Sequence, residues 1–217
     1  MMEKMIALQQ KRRSKKGGFT LVELIIVIVI ILVLAAVAVP LLLNYIGQAK
    51  LAKNIEEAKT CMTVTQGEMI NAYANNIVIA DVPGTTLGSG TKDKDVDLRN
   101  TDIAKNIMNS LGANPYMLIL GMGSTEDYGQ SNPDRLYTVY FAAYWADKND
   151  DPIFYNGTEW TTEYPWGERQ HGYVHNELLI NGNEKVRLRF YLVASPAGVT
   201  GAGNCWNLLQ DKLGIKY

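Results

Sequence analysis

The chain has little of what compact reactive sites are built from: its 217 residues include only two cysteines and two histidines. Two cysteines exclude a disulfide-dense mini-scaffold and lack the four-ligand spacing of a structural zinc site, although they suffice for one bridge. No Gly-x-Ser-x-Gly nucleophile elbow is present. Gly121-Met122-Gly123 lacks the third glycine of a dinucleotide loop, and Gly88-Ser89-Gly90-Thr91-Lys92 lacks the Gly-Lys-Ser/Thr order of a phosphate loop. His171 and His175 stand four apart, but no Glu follows His171 as the zinc-protease motif requires, and exposed turn histidines are expected instead. No catalytic residue, resident metal or cofactor is therefore expected.

Three weaker motifs have plainer readings. Asp93, Asp95 and Asp97 alternate as calcium ligands do, yet the glycine and distal Glu of a calcium loop are absent, which leaves a solvated acidic loop. Asn156-Gly157-Thr158 matches a glycan acceptor, while Asn-Gly is equally a tight-turn dipeptide. Trp145, Trp160 and Trp166 gather with several tyrosines in one third of the chain, and core packing is the expected use of them.

With 47% hydrophobic and 20% charged residues the chain is neither disordered nor collagenous, and it is long enough for one sizeable core with an appendage. Its overall charge of −1 conceals an asymmetry. Lys4, Lys11, Arg12, Arg13, Lys15 and Lys16 against Glu3 give residues 1–18 a net +5. The remainder holds 15 bases against 21 acids, a net −6, which argues against nucleic-acid binding by that part.

From Leu24 to Leu43 there are 20 consecutive apolar positions, Pro40 included, and the next charge is Lys50. At about 1.5 Å per residue, a helix of this length spans roughly 30 Å, the thickness of a bilayer core. The run is apolar on every face, unlike the striped core helix of a soluble protein. The basic cluster immediately before it places residues 1–18 in the cytoplasm and the chain beyond about residue 45 outside. Glu23, at the lip of the run, is costly there unless paired.

Lys15 to Glu23 read KKGGFTLVE and lead into LIIVIVIILVLAAVAVP. This resembles the class III signal sequence of type IV pilins and the related type II secretion pseudopilins. The resemblance implies that a prepilin peptidase/N-methyltransferase cuts between Gly18 and Phe19 and methylates the Phe19 amine. It implies that Glu23 and Pro40 are the assembly acid and the helix-bending proline. The new ammonium would lie about one helical turn from Glu23, so the acid of one copy can neutralise the amine of another and set the register. Further implied are a homopolymer, an assembly platform with its ATPase, and membrane residence before assembly into an extracellular surface filament. A rival cut after Ala36-Val37-Ala38, as in an ordinary secretory signal, would release a soluble protein.

Beyond Pro40, residues 44–76 alternate charged positions with Leu51, Ile55, Ala58, Met62, Thr65, Met69 and Ala72 at spacings of three and four, an amphipathic helix. A loop follows to Asn100. Thr101 or Asp102 then caps a short helix ending before Gly112. Strands are expected at 116–120, 136–145, 153–155, 173–180 and 186–193, with Asn181-Gly182-Asn183-Glu184 as a hairpin turn. The expected class is α+β: a long N-terminal helix packed on an antiparallel sheet head, as in pilins. The expected organisation is a cleaved leader at 1–18, a transmembrane or filament-core helix at 19–45 and a head at 46–217. Cys61 and Cys205 would form a disulfide worth roughly 2–5 kcal/mol in an extracellular head, or remain two buried thiols. The pilin resemblance leaves this open, since many pilins pair two cysteines that both lie in the C-terminal half.

Overall fold

A computed structural model describes residues 18–87, 95–112, 114–124, 133–166, 177–180, 184–199 and 201–215. The chain divides into two compact units, Met1–Leu51 and Ala52–Tyr217. Helix α1, Leu21–Ala74, runs through both without interruption.

In the first unit α1 is lined by branched aliphatic residues. Its side chains from Leu24 to Leu34 are 47–64% exposed. Pro40 sits inside the helix, which continues past it to Ala74. It still cannot donate to the Ala36 carbonyl, so one helical hydrogen bond is missing there.

In the second unit α1 is amphipathic. Asn54, Ala58, Cys61, Thr65, Met69 and Ala72 are buried at spacings of three and four. The expected stripe holds at Ala58, Thr65, Met69 and Ala72. Ile55 and Met62 pack at its margin, and Leu51 is exposed. Asn54, which no apolar pattern would select, is buried because its Nδ2 donates to Asp150 Oδ2 at 3.0 Å.

After a 3₁₀ turn at Ile79–Asp81 come strands β1 (Thr86–Leu87) and β2 (Val96–Asp97) and helix α2 (Asp102–Leu111). The start and stop of α2 are written in its residues. Buried Thr101 accepts from Ala104 N, and Gly112 closes the helix at φ 61°, where a side chain would be strained. Then follow β3 (Met117–Gly123), β4 (Val139–Trp145), β5 (Ile153–Tyr155), β6 (Trp160–Thr161), β7 (Glu177–Ile180), β8 (Glu184–Ala194) and helix α3 (Gly201–Leu213).

The strand order is β1-β2-β8-β3-β4-β5-β6, with β7 added against β8. All pairs are antiparallel except β2 with β8, which is parallel, so the sheet is mixed where a purely antiparallel one was expected. The expected strand at 136–145 begins later, because Pro133–Tyr137 forms a 3₁₀ turn. The backbone of that turn lies against β3, where a Cβ on Gly123 would stand 2.6 Å from the Arg135 carbonyl oxygen. The Gly121-Met122-Gly123 run is thus strand core and not a nucleotide loop. Of the expected hairpin turn Asn181-Gly182-Asn183-Glu184, residues 181–183 lie outside the described residues, and Glu184 opens β8 and faces Ile180 across an antiparallel pair.

Every residue of β3 is buried, because both faces of the sheet are covered. Leu118 and Leu120 face one layer with Ala58, Cys61 and Met69 of α1 and Ile107 of α2. Met117 and Ile119 face the other, with Cys205, Trp206 and Leu209 of α3. Each fully buried Leu or Ile contributes about 1.5–3 kcal/mol, so this central strand anchors both layers.

Candidate functional site: the N-terminal helix start

Gly18 has open space around its Cα, and the Phe19 ring is 83% exposed. The peptide between them is therefore unobstructed by the rest of the described chain. Two residues later α1 begins with a reciprocal cap. Thr20 N and Thr20 Oγ1 both donate to Glu23 Oε2 at 2.8 Å, and Glu23 N donates to Thr20 Oγ1 at 3.2 Å. This is a capping box, in which the helix start and the acid three residues on satisfy each other's orphan groups. The signature Thr20-Leu21-Val22-Glu23 is visible in the sequence, although the charge of the acid points first to pairing with an amine. The carboxylate is thereby held at the N-terminal end of the helix, toward Phe19.

The remaining sequence candidates separate. Both cysteines are free and buried, the second of the two outcomes that the sequence leaves open. Cys61 is packed on one face of the sheet and Cys205 on the other. The full thickness of the sheet stands between them, whereas a disulfide needs Cα atoms about 4.4–6.8 Å apart. Burial pushes the Cys61 thiol up to about 12 and the Cys205 thiol up to about 11, the latter opposed by the Arg99 guanidinium. Such thiols are poor nucleophiles. Arg99 also ties three segments together: it donates to Asp97, Ser195 Oγ and the Val199 carbonyl.

Asp97 therefore spends its carboxylate on Arg99, and burial lifts the Asp95 carboxyl to about 6 against the nearby Arg189. Asp93, His171 and His175 lie outside the described residues. Among the described residues no cluster of three or more metal-binding side chains occurs. Asn156 Oδ1 accepts from Thr158 N and Glu159 N, and Gly157 takes φ 92°, so Asn156-Gly157 forms a turn. Of the aromatic group, Tyr144 and Trp145 are buried, and Trp166 packs with Phe141 and Trp206, as the core reading expects.

Residues 13–39 match the family model described as the prokaryotic N-terminal methylation motif. The match covers the end of the basic leader, the Gly18–Phe19 junction, the capping box and most of the apolar run. No curated protein and no solved structure matches the chain. The motif suggests a structural protein, and it implies processing by a prepilin peptidase and assembly on type IV pilus-like machinery. It is also consistent with anchoring of the apolar helix in a membrane. A class III signal motif leading directly into a long apolar helix is consistent with a type IV pilin-like protein.

Proposed function

We propose that the chain is a prepilin, the precursor of a structural subunit of a type IV pilus-like surface filament, with no catalytic role of its own. In this reading residues 1–18 are removed after Gly18, Phe19 is N-methylated, residues 19–45 form the membrane and later the filament-core helix, and residues 46–217 form the head. The carrying observation is the apolar half of α1: its side chains from Leu24 to Leu34 are at least 47% exposed, directly after the methylation motif. Monomeric proteins do not leave so large an apolar surface to water. Lipid covers it before assembly, and the same helices of other copies cover it afterwards.

The capping box supports a specific role for the acid. Glu23 Oε2 is occupied by Thr20, which leaves Oε1 to accept from the Phe19 ammonium of a neighbouring copy. In a low-dielectric bundle an unpaired charge of either sign is costly, so register is favoured wherever acid and amine meet. The −6 charge after residue 18 keeps the filament surface soluble.

The test is recovery of sheared surface filaments from cells expressing the wild type and Glu23→Ala. Wild-type chain in the filament fraction, with Glu23→Ala processed but left in the membrane, is the expected result. Recovery of Glu23→Ala filaments in wild-type yield would refute the pairing, and absence of wild-type filaments would refute the assembly reading.

A further inference from the structure

In the second unit one side of α1 is buried against the sheet, and the other side is exposed. On that outer side Thr60, Thr63, Gly67, Ile70 and Ala74 follow one another at spacings of three and four. Ile70 is 60% and Tyr73 48% exposed, and exposed Ile77 and Val78 continue the apolar surface past the helix end. A water-facing helix side ordinarily carries charge, and this one does not. Residues 60–80 contain a single charged side chain, Glu68, which is engaged with α2, accepting from Asn106 Nδ2 at 3.4 Å. The Thr60 and Thr63 hydroxyls donate to the Glu56 and Lys59 carbonyls at 3.0 Å, so their donors are spent within the helix. A Cβ on Gly67 would meet nothing within 4 Å. By contrast, the exposed residues of α2 include Asp102 and Lys105, and those of α3 include Asp211 and Lys212.

The filament reading creates a need that this side of α1 meets. Consecutive side chains from Leu24 to Leu34 are exposed on every face, so a bundle of such helices has an outer boundary as apolar as its centre. Once lipid is left behind, the heads alone can line that boundary, and a charged lining would strand ions against hydrocarbon. From Thr60 to Ala74 the outer side of α1 is free of charge over roughly 21 Å, against roughly 30 Å for the run from Leu24 to Leu43. Its small residues allow a second helix to approach closely. In the same chain Lys50, Lys53, Glu56, Glu57 and Lys59 separate this side from the apolar run, so the bilayer that holds the run does not cover it. We propose that the outer side of α1 between Thr60 and Ala74 receives the apolar run, residues 24–43, of a second copy, an inference that rests on the filament reading.

The experiment replaces Ile70 with the photo-crosslinker p-benzoylphenylalanine, or Lys105 of α2 as a control, in the full chain expressed in filament-forming cells. Sheared filaments are irradiated and the crosslinked peptides mapped by mass spectrometry. Chain-to-chain adducts from position 70 are expected within residues 24–43, and none there from position 105. Filament yield is read alongside for two substitutions. Gly67→Arg points into open space and replaces a poor helix former with a good one, so circular dichroism of the extracted chain is expected to be unchanged. Its filament yield is expected to fall at least tenfold, and that of Gly67→Ala to change less than twofold. Wild-type filaments with position-70 adducts only in another head, or with no chain-to-chain adduct from that position, would overturn this inference and leave the filament reading standing. Gly67→Arg filaments in wild-type yield would do the same. Absence of wild-type filaments would overturn both.

Discussion

If the sheet separates Cys61 from Cys205, the protein is indifferent to reductant even when it folds in an oxidising compartment. Cys61 belongs to the layer of α1 and Cys205 to the layer of α3, on opposite faces. With the backbone and side chains of the sheet packed between the two layers, the cysteines are separated beyond the Cα span of about 4.4–6.8 Å that a disulfide allows. A bridge closing so long a loop would be worth about 2–5 kcal/mol, which for a unit of this size is a Tm difference of about 4–20 °C. The expected difference between melts with and without dithiothreitol is zero within error. The thiols are also protected: at pH 8 the thiolate fraction is about 10⁻⁴ for Cys61 and about 10⁻³ for Cys205. Alkylation should therefore count no reactive thiols in the native protein and two in denaturant. A reductant-dependent Tm, or a thiol count of zero in denaturant, would refute the two-layer placement.

Other consequences are local. Gly123→Ala places a Cβ 2.6 Å from the Arg135 carbonyl oxygen, and backbone cannot swing aside as a side-chain tip does. A loss of about 1–3 kcal/mol in denaturant unfolding is expected, and a loss below about 0.5 kcal/mol would contradict the close approach. Thr101→Val keeps the shape but removes the donation to the Leu98 carbonyl at 2.7 Å and the cap on Ala104 N. It should cost about 1–3 kcal/mol, and an unchanged midpoint would show the cap to be idle. The Asp95 carboxyl is raised from 3.8 to about 6 in the fold, so the folded state binds the extra proton. That contribution is present below about pH 4 and is lost as pH rises through about 6. Over this window wild type should lose up to about 3 kcal/mol that Asp95→Asn does not lose. Parallel pH profiles of the two would refute it.

What the sequence discloses follows the range over which each signal acts. The apolar run, the Thr101 and Gly112 caps and the Ile153–Tyr155 strand are set by residues within a turn or two of one another, and the structure has them where the pattern puts them. The T-x-x-E cap at Thr20 and Glu23 is equally local and readable, although the charge of the acid draws attention away from its hydrogen bonds. Non-local facts are not written this way. Asn54 is buried for Asp150, 96 residues away. The parallel pairing of β2 with β8 joins Val96 to Tyr191. Helix α3 opens with Gly201 and Gly203, poor helix formers, and is held by burying Cys205, Trp206 and Leu209 against the sheet. Two cysteines in a chain invite pairing, and only the sheet between them forbids it.

The central claim concerns one bond, between Gly18 and Phe19. Intact-mass and N-terminal peptide analysis of the chain recovered from the surface fraction tests it directly. The account predicts a mature chain that begins at N-methylated Phe19. A chain beginning at Met1 or Met2 would instead make this an anchored surface protein that keeps its leader. A chain beginning at Val39 would make it a soluble secreted one, and either result would contradict the prepilin reading.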